Sequence, residues 1–296
     1  MSSSDTKPLV GVLAIQGAFE EHQSCLEASG CRTKQIRTVA DMTEEPLDGM
    51  VLPGGESTAM GLIGTATSKG GKNVWEALRE FIEVDKKPTW GTCAGMILLA
   101  ERCVGASAVI QDGQALIGGM DILVCRNYFG SQVSSFEMAT PAPPKLENQQ
   151  SYPGVFIRAP AILSAGKDVD VLGKVVATPC RQAAVVLQEL EQKIQAGETV
   201  VQMGVVDALE RGNSQLKYRA VVKPHSGGTA EEEKKDTSGE THASIELPGA
   251  ADGSNAREVI CAVQKNNLLC TAFHPELTSD YRWHEYFAGM VKDAKA

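Results

Sequence analysis

The pentapeptide Gly91-Thr92-Cys93-Ala94-Gly95 constrains this chain more than any other stretch. It follows a short strand-like run, Pro88-Thr89-Trp90, and precedes an apolar helical run at 96–100. Strand, sharp turn and helix around G-x-C-x-G is the thiol form of a nucleophile elbow. Small flanking residues let the backbone bend and hold the sulfur clear of it. A helix N-terminus places partial positive charge beside that sulfur. Such a setting lowers a thiol pKa from about 8.5 into the range of roughly 3.5–7.5. Cys93 is thus a candidate nucleophile, although the same pentapeptide would also suit a buried cysteine ahead of a helix.

A nucleophile needs a base, and the base needs an orienting group. The best candidates lie far downstream, in Ala272-Phe273-His274-Pro275-Glu276. Residues 268–273 read as a buried strand. In an extended continuation His274 and Glu276 share one face, and Pro275 stiffens the pair and disfavours helix at His274. Taken alone, His-Pro-Glu would equally be a turn that ends a strand. With Cys93 it forms a candidate triad in the order Cys, His, Glu.

The rest of the chain supplies a scaffold. Residues 9–15 are an apolar run with one glycine, the mark of a buried parallel strand. Gln16-Gly17 ends it. A helix is predicted over 19–28, with Phe19, Gln23 and Leu26 near one face and Gly30 closing it. Strands are predicted at 33–37 and 49–53, the latter entering Gly54-Gly55-Glu56-Ser57-Thr58. A helix at 74–84 presents Trp75, Leu78, Phe81 and Ile82. Repeated strand, loop and helix argue for an α/β fold with a doubly wound, mixed or parallel sheet flanked by helices. Short strands follow at 115–120, 122–125, 133–138 and 155–157. Further strands are expected at 169–178 and 199–206, with a helix at 183–194 between them. Residues 258–264 and 268–273 form a hairpin around Asn266-Asn267. Ser279 can cap a last helix whose apolar face is Trp283, Phe287, Met290 and Val291.

The Gly54-Gly55 pair lets backbone N–H groups approach a ligand. The N–H groups of Gly55 and Ala94 are candidate donors to an oxyanion, although a plain βα turn would use the same glycines. Arg126 and Arg158 each end a strand-like run and could hold a carboxylate, or simply face solvent. The remaining histidines are weaker candidates: His22 packs or caps on the first helix, His284 is expected on the exposed side of the last, and His225 and His242 lie in a polar stretch.

Composition limits the partners. The 296 residues carry a net charge of −9, which disfavours nonspecific nucleic-acid binding. No apolar run is long enough to span a membrane, and residues 1–7 lack a signal pattern, so a cytoplasmic location is expected. The 8 cysteines show no C-x-x-C; Cys103, Cys125, Cys261 and Cys270 sit in apolar company and read as reduced core residues. Residues 223–252 are too polar to offset ordering entropy, so a disordered loop is expected there.

Four segments occur in order: Val12-Leu13-Ala14-Ile15-Gln16-Gly17-Ala18-Phe19, Pro53-Gly54-Gly55-Glu56-Ser57-Thr58, Gly91-Thr92-Cys93-Ala94-Gly95-Met96 and Phe273-His274-Pro275-Glu276-Leu277-Thr278. With Gly118-Gly119-Met120-Asp121, Arg126-Asn127, Phe129-Gly130 and Phe156-Ile157-Arg158-Ala159-Pro160, the chain resembles the glutaminase subunits of pyridoxal 5′-phosphate synthases, within the triad (class I) glutamine amidotransferases. The resemblance covers about 9–172 and 257–290. It implies a flavodoxin-like single domain spanning 1–296, with Cys93, His274 and Glu276 as the triad. It implies a glutamine site lined by Gln16, Gly54, Gly55, Glu56, Arg126, Ile157 and Arg158, and no cofactor or metal. The implied partner is a (β/α)8-barrel synthase subunit that receives the ammonia. A glutaminase subunit of a histidine or nucleotide pathway, or a non-catalytic regulatory subunit, is the alternative. Two features depart from the family: Ser131 stands where a basic residue is usual, and about 173–256 reads as an insertion.

Overall fold

Continuous apolar runs make strands that are buried on both faces, and these set the centre of the molecule. The computed structural model describes residues 7–66, 71–105, 115–130, 135–144, 150–195, 218–220, 243–245, 247 and 255–296. The first half runs β1 (Leu9–Leu13), α1 (Phe19–Ala28), β2 (Arg32–Ile36), α2 (Val39–Thr43), β3 (Gly49–Leu52), α3 (Ser57–Thr65), α4 (Val74–Glu83), β4 (Thr89–Thr92) and α5 (Ala94–Leu99). Then come β5 (Ala100–Val104), β6 (Met120–Cys125), β7 (Phe136–Thr140), β8 (Tyr152–Phe156), β9 (Ala161–Ala165), β10 (Asp170–Ala177) and α6 (Arg181–Gln195). The last described elements are β11 (Tyr218–Ala220), β12 (Ala243–Ile245), β13 (Arg257–Lys265), β14 (Leu268–Thr271), a 3-10 turn (Pro275–Leu277) and α7 (Arg282–Lys295).

The main sheet has the order β2-β1-β3-β4-β14-β13-β9-β6-β5, with β10 also paired to β13. β2, β1, β3, β4 and β14 are mutually parallel. β13 turns back antiparallel to β14, and β9 and β10 are antiparallel to β13. The result is the mixed sheet, flanked by helices, that the sequence pattern implies. Every residue of β1, β3, β4 and β14 is buried. α1 packs on α7, and α3 packs on α4 and α5. Among the described residues no helix is long and apolar enough to cross a membrane.

Several local expectations are corrected. Only Met120 of 115–120 is strand: Gly118 and Gly119 take positive φ, and the carbonyls of Leu116 and Ile117 accept from the Arg79 guanidinium instead of a neighbouring strand. Ser279 caps nothing; Asp280 Oδ1 takes the Arg282 N–H, and α7 begins there. His284 is fully buried, because the inward stripe of α7 also runs 284, 287, 288, 291. The helix at 74–84 and the hairpin at 258–273 form as expected, with Asn266 at φ 51° in the turn. The start of the stretch read as an insertion is β10, paired along β13, followed by α6. Within 223–252 the structure describes β12, paired with β11, and the buried Leu247. The expected strand at 199–206, Ser131, His225 and His242 lie outside the described residues.

Candidate active site

β3, β4 and β14 are neighbours and all parallel, so their carboxyl ends open on the same edge of the sheet. Ligands of open α/β sheets bind along that edge. Leu52 pairs with Gly91, and Thr271 pairs with Thr92. The residues just beyond these rungs are therefore brought together: the Gly54-Gly55 loop after β3, Cys93 after β4, and His274 after β14. Sequence separations of about 40 and 180 residues vanish in two rungs of hydrogen bonding.

The turn at Cys93 is tight. Its φ is 48° and ψ −104°, an unfavoured region for an L-residue, and its N–H bonds Thr271 O at 2.8 Å. The two glycines of the pentapeptide are sterically required. A Cβ at Gly95 would lie 1.9 Å from Leu52 O, and one at Gly91 would lie 2.5 Å from Gly95 O. Gly54 matters for the same reason: a Cβ there would meet the His274 ring at 2.3 Å and Cys93 Cβ at 3.3 Å. The thiol and the imidazole thus flank one point beside the Gly54 backbone.

His274 Nδ1 lies 2.7 Å from Glu276 Oε1. The contact is not the extended i, i+2 pairing expected from sequence. Pro275 opens a 3-10 turn, and Glu276 folds back within it onto the ring. Cys93 is the other group that acts on this ring. Burial alone would push this imidazole down. The Cys93 sulfur and the Glu276 carboxylate outweigh burial and hold it well above the usual histidine range. Burial would likewise raise the Glu276 carboxyl, but His22 and His274 hold it far below the usual carboxylate range. Burial pushes the thiols of Cys25 and Cys103 up to about 11 and those of Cys125 and Cys261 up to about 12, as befits inert core cysteines. All eight cysteines are free.

Cys93 and His274 open into a cavity of about 160 Å³, small enough to suit a single amino acid. Gly55, Glu56, Ala94, Arg126, Ile157 and Arg158 line it, as expected, and so do Ser57, Ile97, Asn127 and Pro160. Asn127 and Arg158 both take positive φ, 52° and 46°. Gln16 and Gly54 stand behind this lining. Gln16 Oε1 accepts from Glu56 N at 2.8 Å and so fixes the loop. Glu56 caps α3, accepting from Thr58 N and Ala59 N at 3.1 and 2.7 Å. Burial opposes its ionisation, but those two N–H groups hold its carboxyl below the usual range. Arg126 Nη2 bonds Thr58 Oγ1 at 2.9 Å and lies 3.8 Å from Glu56 Oε1. A thiol with a base, two guanidinium groups and one carboxylate can bind a zwitterion and attack its side chain.

The profile of the SNO glutamine amidotransferase family matches residues 12–195. The chain belongs to that family. A probable pyridoxal 5′-phosphate synthase subunit from Arabidopsis thaliana is 37% identical over 288 residues, covering 96% of this amidotransferase and 86% of the relative. The pyridoxal 5′-phosphate synthase subunit PdxT of Bacillus cytotoxicus is 42% identical over 286 residues, covering 97% and 96%. A crystal structure of a glutamine amidotransferase aligns with TM-score 0.58 at 26% identity, over 96% of this chain and 98% of that one. The expected family and fold are borne out.

His22 packs on α1 as expected from sequence, but its contacts with Glu276 and His284 were not foreseen. His22 Nε2 lies 3.2 Å from Glu276 Oε2, and His22 Nδ1 lies 3.0 Å from His284 Nε2. The available signal was periodicity. His22 shares the buried face of α1 with Cys25 and Leu26, and His284 stands one turn before Phe287 and Ala288.

Proposed function

We propose that this amidotransferase hydrolyses L-glutamine to glutamate and ammonia with Cys93, His274 and Glu276, and passes the ammonia to a (β/α)8-barrel synthase subunit that makes pyridoxal 5′-phosphate. The observation that carries the catalytic part is the convergence of the strained Cys93 and His274 on one cavity, with the buried Glu276 bonded to His274 behind it. The family match, together with relatives named as pyridoxal 5′-phosphate synthase subunits, supports the pathway.

The chemistry follows from the groups present. Glu56, Arg126 and Arg158 bind the α-ammonium and α-carboxylate of glutamine, with Ile157 alongside. The Cys93 thiolate attacks the side-chain amide carbon. The carbonyl oxygen becomes an oxyanion, held by the N–H groups of Gly55 and Ala94. The His274 imidazolium, steadied by Glu276, gives its proton to the nitrogen as the C–N bond breaks. Ammonia leaves and a γ-glutamyl thioester remains. Water then attacks the thioester, His274 takes its proton, and glutamate departs as the thiolate re-forms. Ammonia protonated in bulk water is no longer a nucleophile, so a closed path into the partner is part of the function.

Rapid quenching with L-glutamine, followed by peptide mass spectrometry, tests the covalent step. The peptide containing Cys93 should carry a γ-glutamyl group. Turnover with label on no cysteine, or on another cysteine, would refute the assignment.

A further inference from the structure

The triad carboxylate has two oxygens, and the reaction above uses one. Glu276 Oε1 faces His274, while Oε2 turns into the interior, where the side chain is wholly buried. Among the described residues, the polar group that approaches Oε2 is His22 Nε2, at 3.2 Å. That nitrogen hydrogen-bonds Thr92 Oγ1, on the residue before the nucleophile, at 3.1 Å, and Oε2 itself has no hydrogen-bond partner among the described residues. An anionic oxygen in a dry pocket is costly without a donor, and the His22 ring nitrogen is placed within reach of it. On its far side His22 Nδ1 meets His284 Nε2 at 3.0 Å. Both rings pack against Trp90.

The proton positions follow from this chain of contacts. An ionised carboxylate only accepts, so His22 carries hydrogen on Nε2. A neutral His22 then accepts at Nδ1, and His284 donates from Nε2. That leaves His284 Nδ1 as a bare lone pair, and it has no hydrogen-bond partner. The reverse tautomer of His284 would bury an unpaired N–H, the worse outcome. Burial pushes His284 well below the usual histidine range, in keeping with a neutral ring.

Other groups near Glu276 do not replace this donor. From α1, Cys25 Sγ reaches only the Glu276 backbone oxygen, at 3.9 Å. From β8, the Tyr152 hydroxyl bonds Pro275 O, Thr278 Oγ1 and Asp280 O. Burial pushes the Cys25 thiol up to about 11 and the Tyr152 phenol higher still, so both stay neutral through the working range. The Asp280 carboxylate is engaged by Arg282.

We infer that His22, fixed in its Nε2–H tautomer by His284, is a positioning residue that anchors the second oxygen of Glu276 so that the first stays aimed at His274. The inference rests on the triad reading above. Its test compares His22→Leu, which removes the donor, with His22→Gln, whose side-chain N–H can reach the place of Nε2. Glutamine hydrolysis is followed against pH, with the synthase subunit present. His22→Leu should lower kcat about tenfold, leave KM nearly unchanged, and move the acid limb of the kcat profile up by about one pH unit. His22→Gln should bring that limb back toward the wild-type position. A Leu profile that superimposes on wild type, or a Gln profile no better than Leu, overturns the role of His22. An active Cys93→Ala would instead overturn the triad itself, whereas an inactive Cys93→Ala beside an unmoved His22→Leu profile overturns only the role of His22. Nitrogen-15 spectra of the wild-type imidazoles need no folded variant. Neutral His22 and His284, both with Nε2–H, are expected; a charged His22 or an Nδ1–H tautomer contradicts the inference.

Discussion

Cys93 sits at φ 48°, where its own Cβ is crowded by the backbone. A residue held there stores about 1–3 kcal/mol, which the surrounding β4 and α5 packing sustains. Removing Cβ should relieve part of it, so Cys93→Gly is expected to be more stable than Cys93→Ala by about 1 kcal/mol in chemical denaturation. The opposite order would deny the strain. Titration gives a second expectation. The folded Glu276 carboxyl lies below its unfolded value, so its contribution is present above an unfolded pKa of about 4.3 and is lost as pH falls toward the folded value. The folded His274 lies above its unfolded value, so its contribution is full below about 6.5 and is lost as pH rises through the folded value. The stability gap between wild type and Glu276→Gln should therefore be widest between about pH 4.3 and 6.5 and should narrow in acid. A gap that is flat with pH would contradict the ion pairing. At this scale Cys93, His274 and Glu276 were legible, because each carries a local signature of turn, strand end or proline. The contacts of His22 and His284 were not, because their partners come from different elements and no short motif joins α1, β4, α7 and the 3-10 turn.

Elements whose pattern is set by burial on both faces were easy to read, and those with an inward charge were not. β1, β3 and β14 are unbroken apolar runs, and α4 has both a capping box at Asn73 and Glu76 and a clear stripe. β5 escaped because Arg102 points inward and is buried, paired with Asp121 of β6. An alternating pattern containing arginine looks like surface until its partner is known. β9 escaped because it follows a proline and is short. The 3-10 turn was misjudged as extended because proline is also at home in the first turn of a helix. The elbow offers the sharpest test at this scale. Gly95→Ala would drive Cβ into Leu52 O at 1.9 Å, backbone that cannot yield cheaply. It should lower stability by about 3 kcal/mol or more and abolish turnover, while Ala94→Gly, one residue away, should cost about 1 kcal/mol. Denaturant midpoints for the two variants check this; equal costs would mean that α5 and β3 are not packed as described.

Across the whole molecule, one sheet edge gathers the chemistry. Parallel pairing of β3, β4 and β14 brings the glycine loop, the thiol and the imidazole together, and the antiparallel return through β13 connects β14 back to β9, β10 and the cavity wall at Ile157 and Arg158. The site is a small cavity of about 160 Å³. On the proposed function, glutamine hydrolysis and synthase chemistry reside on separate proteins, and they can be separated by experiment. The decisive measurement is pyridoxal 5′-phosphate formation by the reconstituted pair, fed either L-glutamine or an ammonium salt, with wild type and with Cys93→Ala. Wild type should support both. Cys93→Ala should lose the glutamine-driven rate by about 10³-fold or more and keep the ammonia-driven rate. Glutamine-driven synthesis that survives Cys93→Ala would contradict the central claim.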